Sequence, residues 1–165
     1  MPDFWLDTDS FVTPSRGPYR FTTVPKFWEF LEQKATEHVI ASPEFVLLRE
    51  LSSNDPKDSD ELEVWAKKQQ GTLFLSPDMA VQQALTQIAE SVKLEPRYAP
   101  QYVAKFLDGA DPWVIAYAKA LGGRVVTFEK SEPRSTNPKI PDVAAKFDVK
   151  CINLWDMLTE LKATF

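Results

Sequence analysis

The stretch at residues 108–127, DGADPWVIAYAKALGGRVVT, constrains the fold more than any other part of the chain. Ile115, Ala116, Ala118, Ala120 and Leu121 give a helix of small and apolar residues. Asp111 is expected to cap it, and Pro112 suits the first turn, where a missing N–H costs nothing. Gly122-Gly123 ends the helix, and Val125-Val126 is a β-branched pair that reads as a buried strand. A helix that runs through two glycines straight into an apolar strand is one unit of an α/β fold.

The rest of the chain repeats that alternation. Phe4-Trp5-Leu6 is a short apolar run that stops at Asp7. Pro14, Gly17 and Pro18 predict a loop. Val24-Pro25 opens a helix with Thr23 as its cap and Phe27, Phe30, Leu31 and Ala35 on one face. Val39-Ile40-Ala41 is a second strand, and Ser42-Pro43 starts a helix that buries Phe45, Val46, Leu48 and Leu51. Residues 52–60 are polar, and 61–70 resume helix, closed by Gly71. Helices follow at 77–93 and after Pro100, and Ile140-Pro141 opens another. Residues 151–154 read as a last strand before a helical C-terminus. The predicted architecture is one domain over residues 1–165, an α/β sandwich around a small parallel sheet.

Composition then narrows the chemistry. With one Cys (Cys151) and one His (His38), a disulfide framework, a Cys-based zinc site and a Ser-His-Asp triad are all disfavoured. No apolar run is long enough to span a membrane, and Met1-Pro2-Asp3 does not open a signal peptide, so a cytoplasmic chain is expected. A net charge of −5 speaks against coating nucleic acid by bulk charge. If the chain is an enzyme, carboxylates with a hard cation are the expected chemical groups.

In an open parallel sheet, ligands bind beyond the carboxyl ends of the strands. Asp7, Thr8 and Asp9 follow the first strand, and Thr127 and Glu129 follow Val125-Val126. Asp111 opens the helix before that strand, and Glu50 ends the helix after the second. Each acid alone has an ordinary reading as turn residue, helix cap or solvated charge. Four acids from four distant places could converge on one sheet edge.

These segments together resemble the PIN-like nuclease family, best known from VapC-type toxins. The residues that carry the resemblance are "WLDTDSFV" with Asp7, Thr8 and Asp9, "IASPEFVLLREL" with Glu50, "ADPWVIAYAKALGG" with Asp111, and "RVVTFEKS" with Thr127 and Glu129. It extends to "KIPDVAAKFDVKCINLWDML", and it is nearest to a divergent branch in which the last acid is Glu. The resemblance implies a three-layer α/β/α sandwich with a mostly parallel sheet of four or five strands. It also implies an endoribonuclease that uses Mg²⁺ or Mn²⁺. Asp7, Asp111, Glu129 and Glu50 would then hold the metal, with Glu50 a ligand or an orienter of water. Thr8, Asp9 and Thr127 would support them. A cognate antitoxin and a homodimer are the implied partners. Glu129 and Asp9 stand where many relatives carry Asp and Asn.

Charge is segregated along the chain. Residues 10–28 carry Arg16, Arg20 and Lys26 and no acid, and 130–139 carry Lys130, Glu132, Arg134 and Lys139. Residues 52–63 are acidic. Arg16, Arg20, Lys130 and Arg134 would guide RNA onto the site. Tyr19 and Phe21 are candidates for stacking a base, with core packing the alternative for Phe21. Two rival functions remain: a haloacid-dehalogenase-like phosphatase using Asp7 as nucleophile and Asp9 as acid, and a non-catalytic interaction protein on the PIN fold. A Rossmann binder is disfavoured, because no Gly-rich turn follows the first strand.

Overall fold

β1 (Phe4–Leu6) lies at the centre of a five-stranded, all-parallel sheet, in the order β3 (Phe74–Leu75), β2 (Ile40–Pro43), β1, β4 (Arg124–Val126), β5 (Cys151–Ile152). In this computed structural model, residues 1–53 and 60–165 are described. Phe4 is in register with Ile40 of β2 (Ile40–Pro43) and with Arg124 of β4 (Arg124–Val126). β3 (Phe74–Leu75) pairs with β2, and β5 (Cys151–Ile152) pairs with β4.

Side chains alternate across the strands, as a period of two requires. Phe4, Leu6, Ile40, Phe74 and Val126 enter one apolar cluster, and Trp5, Ala41 and Val125 enter the other. The first cluster is covered by α1 (Asp9–Arg16), α2 (Pro25–Thr36), α3 (Glu61–Lys68) and α8 (Leu154–Glu160). The second is covered by α4 (Met79–Leu94), α5 (Pro100–Asp108), α6 (Asp111–Leu121) and α7 (Ile140–Ala145). Helices on both faces of one sheet make a three-layer α/β/α sandwich, as the sequence predicts.

Several local expectations are corrected. The loop predicted around Pro14 is helix α1 as far as Arg16, with Pro14 inside it. Pro14 removes one helix hydrogen bond, and burial of Phe11 and Ser10 outweighs that loss. Val24, not Thr23, takes the cap position of α2, and Ala110, not Asp111, takes that of α6. Ser42 and Pro43 belong to β2, and the helix after them is a π-helical turn, Val46–Glu50, that leaves Leu48 exposed. β3 is too short to leave a pattern. The middle of the polar segment at 52–60 lies outside the described residues. Trp28 and Trp65 are core residues. Among the described residues, no helix is long and apolar enough to cross a membrane.

Candidate active site

The strand order places a switch point at the middle of the sheet. From β1 the chain proceeds outward through β2 and β3, and it later returns to the other side of β1 as β4 and β5. The loops leaving β1 and β4 therefore part in opposite directions and open a crevice at their carboxyl ends. Asp7 follows β1, and Thr127 and Glu129 follow β4, so sequence position alone puts them at this crevice.

Asp7 is 5% exposed and firmly held. Its Oδ2 accepts from the Thr127 hydroxyl at 2.8 Å, and its Oδ1 accepts from the Thr8 N–H at 2.5 Å. The Asp7 N–H donates to the Val126 carbonyl at 2.9 Å, which ties the end of β1 to the end of β4. Thr127 is buried, and its hydroxyl also accepts from the Glu129 N–H at 3.1 Å. One threonine thus connects two of the four predicted acids.

Glu50 and Glu129 are each anchored at the start of a helix. Glu129 Oε2 accepts from the Ile140 N–H at 2.7 Å, at the first residue of α7. Glu50 Oε1 accepts from the Ala110 N–H at 3.1 Å, at the start of α6. Unpaired N–H groups at helix starts attract carboxylates. In both residues the second oxygen has no hydrogen-bond partner among the described residues. Asp111 is the first residue of α6 and half-buried.

Glu50, Asp111 and Glu129 line one cleft of about 430 Å³. Buried Asp7 belongs to the same electrostatic group. Burial, then the charges of Asp7, Glu129, Glu50 and Asp9, pushes the Asp111 carboxyl up to about 8. Burial, with Asp9 and Glu129 adding to it against the Thr127 hydrogen bond, pushes Asp7 up to about 7. Glu129 is raised as well, chiefly by burial. Among the described residues none of these four acids forms an ion pair with Lys or Arg.

The donor chemistry fits a hard divalent cation: carboxylate oxygens with no thiol or imidazole in the cleft wall. A second observation agrees. The Thr8 hydroxyl, next to Asp7, is buried without a hydrogen-bond partner among the described residues. Such a group costs about 1–3 kcal/mol, a cost that a hydrated cation would relieve. The side chains share the cleft without being drawn into a ligand shell: among the described residues no group of three or more His, Cys, Asp or Glu is arranged to hold a metal ion.

The four basic residues expected to guide RNA are all at the surface. Arg16, Arg20, Lys130 and Arg134 are exposed, and the cleft's cations among the described residues are Arg49 and Lys105. Asp9 is exposed on the first turn of α1, and Asp108 adds a further acid to the cleft wall. The 130–139 loop contributes Asn137 and Pro138 to the cleft wall, and the charge of its Lys139 acts on Glu129. Tyr19 stacks on Phe27 and Phe21 on Trp28, and neither lines the acidic cleft. Arg49, Lys105 and Asp108 were missed because each sits on a helix whose orientation toward the sheet edge leaves no mark in the sequence.

The family model described as Domain of unknown function (DUF4411) matches residues 4–165. No curated protein and no solved structure matches the chain.

Proposed function

The chain belongs to the DUF4411 family, and we propose that it is a metal-dependent nuclease of PIN-like type that hydrolyses RNA phosphodiesters. The observation that supports this most is the gathering of acids from four distant segments. Glu50, Asp111 and Glu129 line one cleft, and the charge of Asp7 acts on Asp111 from behind the switch point of a parallel sheet. Carboxylates crowded without a direct ion pair are costly, and a bound cation would offset that cost.

When bound, Mg²⁺ or Mn²⁺ would supply a nucleophilic water and relief of charge on the scissile phosphate. Asp7, Asp111, Glu129 and Glu50 are the residues that would hold it. Thr127 fixes the Asp7 carboxylate through its hydroxyl, so that one oxygen is oriented before any ligand arrives. Glu129 and Glu50 each spend one oxygen on a helix N–H and present the other. Glu129 is the longer acid at its position, and its extra methylene is taken up by reaching the Ile140 N–H. Arg49 and Lys105 at the cleft wall would bind the phosphate chain. A role as a toxin, with an antitoxin partner that blocks this cleft, belongs to the same reading.

The test is cleavage of single-stranded RNA with Mn²⁺ and with EDTA. Wild type should cut only with metal, and Asp7→Asn and Asp111→Asn should each lower the rate by about a hundredfold or more, as loss of a metal ligand or its support does. Metal-independent cleavage, or no cleavage of any RNA offered, sinks the proposal. Turnover of a phosphomonoester that depends on Asp9 would move the assignment to a phosphatase.

A further inference from the structure

A second concavity adjoins the acidic cleft. It is about 250 Å³, and Phe45, Leu48, Arg49, Trp113 and Tyr117 contribute to its wall. Phe45 and Arg49 line both concavities, so the two are immediate neighbours. The Phe45 and Trp113 rings lie near-parallel, with centroids 5.9 Å apart and planes at 24°. Both are half-buried, and Leu48 beside them is 51% exposed. The Arg49 guanidinium lies 5.4 Å from the Phe45 ring centre. This groove is smaller than a typical drug-sized pocket and mainly apolar.

We infer that this groove is a nucleobase subsite: it holds one unstacked base of a single-stranded RNA next to the phosphate in the acidic cleft. The inference names the substrate form for the nuclease reading and rests on it. Three observations select a base over other occupants. Aromatic faces beside a guanidinium make the platform on which bases stack in sequence-tolerant binding. The groove shares Phe45 and Arg49 with the cleft that would hold the phosphate, and a base and its own phosphate must lie within one nucleotide of each other. Arg49 and Lys105 stand at the cleft, where their charge complements a phosphate chain. A duplex keeps its bases stacked and paired and cannot use such a site.

The test compares binding of two fluorescent strands of equal length, a short oligouridylate and the same chain built of abasic spacers. Ca²⁺ replaces Mg²⁺, and cleavage is measured separately. Wild type should bind the base-bearing strand about tenfold more tightly, within the range that stacking of one base supplies. Leu48→Glu is the deciding variant, because Leu48 is exposed and the fold tolerates the change; Phe45→Ala is the second. Both should bring the ratio of the two affinities to about one. The ratio is the readout because an added carboxylate repels both phosphate chains alike.

Equal binding of the two strands by wild type, or a ratio that survives Leu48→Glu, overturns the subsite. The groove is then a face for a protein segment, and the nuclease reading stands if RNA is still cut with metal. A base preference that Leu48→Glu abolishes, without any metal-dependent cleavage, supports the subsite and removes the nuclease reading. Failure to bind either strand overturns the subsite, and the separate cleavage measurement then decides the nuclease reading.

Discussion

Asp111 is the residue whose environment says most about the site. Its carboxyl is raised to about 8 first by burial and then by the charges of Asp7, Glu129, Glu50 and Asp9. Asp7 is raised to about 7 for similar reasons. Between the ordinary carboxylate range and these values, the folded protein holds protons that the unfolded chain has released. Its stability without metal therefore falls as pH rises through that window, and the loss is complete above about 8. Asp111→Asn removes one of the repelling charges. The metal-free variant should be more stable than metal-free wild type near pH 8 by on the order of 1–3 kcal/mol, with the gain vanishing near pH 4. Chemical denaturation in EDTA across that range checks it, and an unchanged or larger fall in the variant would refute the role given to crowding. At this scale the sequence was readable where a residue stands within three positions of a strand's end, as Asp7 and Glu129 do. It was not readable for Arg49 or Lys105, whose place depends on how a helix is turned.

The elements explain how such residues are delivered. Glu50 ends a π-helical turn, closed by the Leu51 N–H on the Val46 carbonyl at 2.9 Å. This wider turn holds more residues per hydrogen bond than an α-helix, and it sets Glu50 against the start of α6. Periodicity suggested an ordinary helix there with Leu48 buried, and that is where the pattern misled. The Gly122-Gly123 junction was legible because only glycine suits it. Gly123 has φ +95°, and a Cβ there would lie 2.8 Å from the Pro2 carbonyl oxygen and 3.0 Å from that of Asp3. Its Arg124 neighbour pairs with the Asp3 carbonyl at 2.9 Å, so the junction sets the register of β4 on β1. Gly123→Ala should cost about 2–4 kcal/mol in denaturant unfolding. Gly71, also at positive φ but with open space around its missing Cβ, is the control and should cost less when changed to Ala. Equal costs would show that the close approach to Pro2 and Asp3 contributes nothing.

At the scale of the whole molecule, the two apolar clusters hold one sheet from both faces, and the acids gather where the strand order turns back on itself. Four segments spread from Asp7 to Glu129 meet only in the folded state, so a ligand that joins them stabilises the whole fold. Saturating Mn²⁺ at about a hundred times its Kd should add about 2.7 kcal/mol and raise the melting temperature by roughly 5–10 °C. Asp7→Asn and Asp111→Asn should lose most of that rise, while Asp156→Asn, an exposed site on α8, should keep it. A rise of the same size in all three variants would place the bound cation elsewhere.

By itself the sequence determined the alternation of strand and helix, the two-glycine junction and the acids that follow β1 and β4. These are local consequences of side-chain period, backbone freedom and chain direction. Only the tertiary structure decided the strand order and its switch point, the anchoring of Glu50 and Glu129 on the helix starts of α6 and α7, and the aromatic groove beside the cleft. Those depend on contacts between segments far apart in the chain, such as Glu50 with Ala110 and Asp7 with Thr127. No local pattern records which distant partner a side chain will meet.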